Sequence, residues 1–260
     1  MWIKACLNGG RPRPAPVTPA ELATAARAVG ADAVHVHPRD ADGRESLDGA
    51  DIGAAVTAIR EACPGLPVGV STGIWMTGGD PRRRAELVAG WRVLPDFASV
   101  NVHEPGFTAL VRLLDSAGVG VEAGVWSPDD VDALEGLPLL RVLVEIIDTP
   151  AEEAVAAADA ILVRLDELAR PAGLTRPAWA APTGEWPASP SGGSILLHGE
   201  EAACWPLITH AGALDLATRI GLEDTLTLPD GTPAEDNAVL LRHARTVWTE
   251  ARRKRANTDG

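Results

Sequence analysis

The sequence predicts a (β/α)8 TIM barrel, and three observations carry the prediction. Eight short apolar runs rich in β-branched residues recur along the chain, each is followed by a longer amphipathic stretch, and 260 residues is a usual length for one such barrel. No long linker divides the chain, so residues 1–260 read as a single domain. A doubly wound open sheet is the alternative, but no Gly-x-Gly-x-x-Gly follows the first strand.

The elements follow in order. The first strand is expected over 2–8 (WIKACLN) and the first helix over 18–29. That helix is opened by Thr18-Pro19-Ala20-Glu21, which supplies an N-cap hydroxyl, a proline at the first helical position and a glutamate at the third. A strand over 33–37 (AVHVH) precedes a helix over 48–62. Strands over 67–71 (PVGVS) and 97–102 (FASVNV) are followed by helices over 80–94 and 105–117. The fifth strand, 119–125, leads to Ser127-Pro128-Asp129-Asp130 and a helix over 127–136. The sixth, 141–147, leads to Thr149-Pro150-Ala151-Glu152 and a helix over 149–169. Strands over 194–198 (SILLH) and 216–222 (LATRIGL) complete the set, with helices over 200–213 and 234–255. Residues 171–193 break the pattern with five prolines, Trp179, Trp186 and a Gly192-Gly193 end. A loop of that length serves as a lid, as a subunit contact or as a surface excursion, and all three readings stay open.

Composition narrows the function. A net charge of −13 argues against general nucleic-acid binding, and "RRKR" at 252–255 reads as the solvated end of the last helix. No apolar run approaches the ~20 residues of a membrane span. The start, MWIKACLNGG, lacks a basic region followed by an apolar core, so a cytoplasmic location is expected. Cys6, Cys63 and Cys204 form neither a disulfide framework nor a zinc-ribbon spacing.

His35 and His37 sit two apart in a valine-rich strand and therefore point to the same face. Two partly exposed strand residues and two ligands of one ion both fit that pattern. The other strand ends weigh the choice. Asn8, Ser71, Thr72, Asn101, His103, Glu122, Glu145, His198, Arg219, Glu223 and Asp224 all fall in or near the carboxyl ends of apolar strands, where this fold keeps its chemistry. Buried charge is costly unless paired or metal-bound, so the row reads as an active site.

On the last strand Arg219, Gly221 and Glu223 share a face, and in a closed barrel that strand lies two places from His35 and His37. Glu223 can then complete a two-imidazole, one-carboxylate site for Zn2+, with iron(II) or manganese also compatible. His103 reads either as a fourth ligand or as an acid–base group. The only lysines, Lys4 and Lys254, exclude a Schiff-base aldolase, which needs a lysine near the strand ends inside the barrel.

The residues resemble the β-keto acid cleavage enzymes, a family that includes the 3-keto-5-aminohexanoate cleavage enzymes. The resemblance rests on His35-Val36-His37-x-Arg39-Asp40, Asp42-Gly43-Arg44, Ser71-Thr72-Gly73, Ser99-Val100-Asn101, Arg219-Ile220-Gly221-Leu222-Glu223-Asp224 and Asn237-Ala238. It implies a zinc-dependent barrel with His35, His37 and Glu223 as ligands. It further implies cleavage of a β-keto acid with acetyl-CoA as co-substrate, giving acetoacetate- or acetoacetyl-CoA-type products by acyl transfer. In that scheme Asp224 is the base, Arg219 and Ser71 hold substrate and developing charge, and Asn8, Thr72, Gly73, Ser99, Asn101 and Glu122 bind substrate.

Two departures stand out. Gly9-Gly10-Arg11 replaces the family's Gly-Ala-Glu, so Arg11 puts a cation where a carboxylate would meet a substrate ammonium. That argues for a neutral or anionic β-keto acid. Gly124 sits where an acidic residue is often found, while Glu145 and His198 fit equally a catalytic pair and a buried carboxylate bonded to a neighbouring imidazole. Two rivals keep the same residues, a zinc-dependent hydrolase and a catalytically inactive metal-binding barrel. The Trp-bearing 171–193 loop and the eight tryptophans hint at an interface, and the resemblance implies a homo-oligomer.

Overall fold

The computed structural model describes residues 1–11, 14–169 and 195–258. Eight parallel strands wind into a barrel in the order β7-β6-β5-β4-β3-β2-β1-β8. They are β1 Ile3–Cys6, β2 Ala33–Val36, β3 Val68–Ser71, β4 Phe97–Asn101, β5 Gly120–Val125, β6 Arg141–Ile146, β7 Ile195–Gly199 and β8 Thr218–Ile220. The ring closes between β7 and β8 through a Leu196–Ala217 bridge and a hydrogen bond from Thr218 Oγ1 to the Leu197 carbonyl, 2.8 Å. Seven α-helices are described: α1 Pro19–Val29, α2 Gly49–Ala62, α3 Pro81–Ala89, α4 Phe107–Ser116, α5 Ala151–Ala169, α6 Cys204–Leu214 and α7 Asn237–Thr258.

All eight expected strands form, and the helix start signals explain where the boundaries move. Thr18 Oγ1 accepts from the Glu21 N–H while Glu21 Oε2 accepts from the Thr18 N–H, so α1 begins where the sequence places it. After β5, Asp130 Oδ2 accepts from the Trp126 and Ser127 N–H groups, but the segment Pro128–Leu134 is a 3-10 helix, not an α-helix. Thr149 does not cap α5: its hydroxyl donates to the Ile147 carbonyl, and the helix starts at Ala151. The helix expected over 80–94 ends at Ala89, and the one expected from 200 begins as a 3-10 turn, Glu201–Ala203. The 171–193 segment lies outside the described residues.

Side-chain parity sorts the barrel interior into layers. Trp2, Ala33, Phe97, Leu143, Leu196 and Ala217 form a compact apolar plug, and Phe97 fills the space above Gly69. Beside the plug, Lys4 and Glu122 are wholly buried and paired, with Arg141 Nη1 donating to Glu122 at 2.8 Å. Two residues further along the same faces come His35, Ser71, Ser99, Glu145, His198 and Arg219, with Asn101 two beyond Ser99. The larger apolar cluster, with Val34, Val36, Ile52, Val56, Leu110 and Leu207, lies between strands and helices. Apolar packing therefore fixes the barrel, and the polar layer stands at its carboxyl end.

Candidate active site

His35 is carried by β2, and His37 follows just beyond its end. The Asn8 side chain holds the second histidine in place through its backbone: Nδ2 donates to the His37 carbonyl and Oδ1 accepts from the His37 N–H, each at 2.8 Å. The ring is oriented by Glu45, which accepts from His37 Nδ1 and so leaves Nε2 facing the cavity. Glu45 also accepts from Trp75 Nε1 at 3.1 Å, and the Trp75 ring stacks on His37.

Glu223 reaches the histidines from a turn, not from strand alternation. β8 stops at Ile220 because Gly221 runs against β1: a Cβ there would lie 1.8 Å from the Cys6 carbonyl oxygen. Asn237 at the start of α7 ties the turn down, accepting from the Leu222 N–H and donating to the Leu7 carbonyl. Glu223 then passes over Gly9, whose φ of +54° and closeness to Glu223 Cγ exclude a side chain. The expected trio thus converges, but by a different local route.

His37 Nε2 lies 3.6 Å from Glu223 Oε1, and His35 Nε2 lies 3.9 Å from Glu223 Oε2. One ligand atom from each of the three residues falls within 4.8 Å of the other two. Tetrahedral Zn2+ at ordinary bond lengths separates its ligand atoms by about 3.4 Å, so this spacing fits with small adjustments. Glu223 Oε2, between the histidines, is buried without a hydrogen-bond partner among the described residues, as a ligand oxygen awaiting an ion would be. Two nitrogens and one carboxylate oxygen suit zinc.

Burial would lower His37, but Glu223 and Glu45 overcome it and push the imidazole up to about 9. Burial lowers His35 well below its ordinary value. Glu223 would be raised by burial, yet Arg219, His37 and His35 hold it well below the carboxylate range. The anion at Glu223 is thus secured chiefly by the Arg219 and His37 cations.

Arg219 Nε and Nη2 donate to Asp224 Oδ1 at 3.0 and 2.7 Å, and Nη2 also donates to Glu223 Oε1 at 2.9 Å. The guanidinium is buried, and Glu200 lies 3.8 Å away. Burial raises Glu200, with Asp224 adding to it, to about 8.

These groups open on a cavity of about 310 Å³ lined by His35, His37 and Glu223 together with Arg219, Ser71, Gly73, Ser99, Asn101 and Arg11. Four expected site residues do not line it. Asn8 acts on the His37 backbone. Thr72 Oγ1 donates to the Ser99 carbonyl at 2.6 Å and ties β3 to β4. Glu122, expected to bind substrate, is committed to Lys4 and Arg141 in the layer beneath. Asp224 is fully buried, with Oδ1 accepting from Arg219. His103 is not a fourth ligand: it is exposed and its ring lies against Trp126.

Trp75, Trp126, Glu145, Ile147 and Glu200 also line the cavity. Glu45, Trp75, Trp126 and Glu200 were not singled out from sequence. Glu45 had a local signal, since the Asp42-Gly43-Arg44 turn folds residue 45 back beside His37, where it bridges Arg39.

A family model described as beta-keto acid cleavage enzyme matches residues 1–160 and 183–260. No curated protein matches the sequence. Among solved structures, apo ObcA superposes with a TM-score of 0.60 at 17% identity, covering 94% of this chain and 61% of ObcA. ObcA in a ternary complex with a C4-CoA adduct and oxalate superposes at 0.57 with 18% identity, covering 94% of this chain and 63% of that one. A thiamine phosphate pyrophosphorylase from Pyrococcus furiosus superposes at 0.51 with 11% identity, covering 96% of both chains. At these identities the superpositions speak to the fold, and this chain spans about three fifths of ObcA's length.

Proposed function

The chain belongs to the β-keto acid cleavage enzyme family, and from that membership we propose that it exchanges the acyl group of a β-keto acid with that of acetyl-CoA. A β-keto acid R–CO–CH2–COO⁻ and acetyl-CoA would give acetoacetate and R–CO–S–CoA. The observation that carries the reading is that His35, His37 and Glu223 open on the same cavity as Arg219 and Ser71. ObcA, solved with oxaloacetate and with a C4-CoA adduct and oxalate, supports reactants of this kind.

His35, His37 and Glu223 would hold Zn2+, which when bound polarises a keto oxygen. The chain's own residues do the rest. Arg219, fixed on one edge by Asp224 and Glu223, presents a rigid cation to the negative charge that develops on the substrate. Asp224 keeps that guanidinium in place. Ser71 Oγ and the Asn101 amide line the same wall and offer polar contacts for a carboxylate, and Glu104 fixes the amide by accepting from Asn101 Nδ2 at 2.9 Å. Arg11 favours an anionic or neutral substrate tail. Its Nε donates to the Glu223 carbonyl at 2.8 Å and Glu201 pairs with its Nη2, so the cation is held at the rim. Trp75 and Trp126, 50% and 39% exposed, wall the cavity toward solvent. We infer a homo-oligomer, which light scattering tests.

The test is mass spectrometry of the products from zinc-loaded protein given acetyl-CoA and β-keto acids with cationic, neutral and anionic side chains. New acyl-CoA species that vanish in His37→Ala support the proposal. Products formed equally without acetyl-CoA would assign a hydrolase instead, and no turnover with zinc still bound would leave a metal-binding barrel.

A further inference from the structure

The mouth of the cavity has two unlike sides. In barrel order, the segments after β7, β8, β1 and β2 supply Glu200, Glu223, Arg11 and His37, all ionisable. The segments after β3, β5 and β6 supply Trp75, Trp126 and Ile147. Ser71, Ser99 and Asn101 lie below them, on β3 and β4. Among the described residues Trp75 and Trp126 are the exposed tryptophans, and both stand at this mouth. One exposed apolar side chain needs no explanation, but two indoles on one concavity mark a surface that something apolar covers.

The polar atom of each indole is already used. Trp75 Nε1 donates to Glu45 Oε2 and Trp126 Nε1 to Glu145 Oε2, each at 3.1 Å. Each ring also rests against an imidazole: Trp75 stacks on His37 with centroids 6.3 Å apart, and Trp126 lies tilted on His103 at 4.4 Å. The Trp75 ring further lies over Gly73, where a Cβ would come within 2.0 Å of it. Hydrogen bond and ring contact together fix both indoles, so the wall is formed before a ligand arrives and little side-chain entropy is lost on contact. What the wall offers is carbon, since neither indole has a second donor and Ile147 has none. A polar tail laid against it gives up water without a partner in return.

We propose that Trp75, Trp126 and Ile147 select β-keto acids whose side chain R ends in an aromatic ring. The proposal rests on the reading of this cavity as a β-keto acid site and names the class of its substrate. The keto and carboxylate groups sit lowest, by Arg219, Ser71 and Asn101, which leaves R beside the two indoles. Indoles take a second ring edge-on or offset, and such pairs gain beyond the area they bury, which a saturated chain does not. A hydrocarbon ring is uncharged, in keeping with Arg11 at the rim, whose cation repels an ammonium tail. The cavity, about 310 Å³, is at the small end for ligand sites and suits one compact ring better than a long acyl chain.

The experiment is isothermal titration calorimetry on zinc-loaded protein without acetyl-CoA, using β-keto acids whose R is benzyl, cyclohexylmethyl or ethyl. The benzyl acid should bind at least about tenfold tighter than the ethyl acid and about threefold tighter than the cyclohexylmethyl acid. Trp126→Leu should cut the benzyl-over-ethyl ratio to about threefold or less. Trp126→Phe, which loses the same N–H to Glu145 but keeps a ring, should retain most of that ratio. Equal loss in the two variants would trace the preference to the Glu145 hydrogen bond and overturn the assignment. Benzyl and cyclohexylmethyl acids binding alike would overturn it too, as would a benzyl preference that survives in Trp126→Leu. Light scattering should give Trp126→Leu the wild-type mass, and dissociation of that variant would assign the indole to a subunit contact instead. Equal binding of the benzyl and ethyl acids sinks the inference and leaves the β-keto acid reading standing, whereas no binding of any of the three sinks that reading and the inference with it.

Discussion

His37 Nδ1 donates to Glu45, and that one hydrogen bond decides which nitrogen of the imidazole faces Glu223. A partner of this kind fixes tautomer and ring orientation and raises ligand basicity. Glu45→Ala should therefore weaken zinc binding roughly 10–100-fold while leaving all three ligands in place. Chelator competition measures it, and unchanged affinity would mean the hydrogen bond does not tune the site.

The Lys4–Glu122 pair accounts for a strand residue that looked like part of the site. Removing one partner leaves a buried unpaired charge, so Glu122→Leu should cost about 3–5 kcal/mol of stability. Lys4→Met with Glu122→Leu should recover much of that loss. Folded Glu122→Leu protein should keep the wild-type KM, which separates this residue from the substrate contacts. Denaturant titration and steady-state kinetics together make the check.

Glu200 gives a stability that falls with pH. Its folded-state pKa is raised to about 8 from 4.5, so its contribution is full below about 4.5 and is lost as pH climbs through about 8. In metal-free protein the wild type should lose up to about 1.4 kcal/mol per pH unit across that window relative to Glu200→Gln. Thermal unfolding at several pH values reads the difference, and parallel curves would contradict it.

Arg11 should set substrate charge. Arg11→Glu should shift preference from anionic toward cationic β-keto acids by at least about tenfold in kcat/KM, about 1.4 kcal/mol of discrimination. Paired kinetics on two acids of opposite charge test this directly.

Much of the barrel was legible because β-branched runs and capping signals are local. Thr18 and Glu21 close the capping box that their spacing announces, while Thr149 turns its hydroxyl to Ile147 because the chain enters α5 through Asp148 at φ +53°. The convergence of His35, His37 and Glu223 was legible from spacing, yet Glu223 arrives by a turn that depends on Gly221, Gly9 and Asn237, contacts between distant parts of the chain. Parity brought Glu223 to the histidines on a different ground. It could not tell depth along the strand, which is why Glu122 and Glu145, both inward-facing, end in different layers. The roles of Asn8 and Thr72 in holding backbone follow from hydrogen bonds that no spacing encodes.

The most direct test of the acyl-exchange account is to trace acetyl-CoA labelled with 13C in both acetyl carbons through one turnover with the best β-keto acid. The account predicts that both labelled carbons appear in the methyl and keto positions of acetoacetate, while the new acyl-CoA is unlabelled and forms in equal amount. Label retained in acetyl-CoA while the β-keto acid disappears would contradict it.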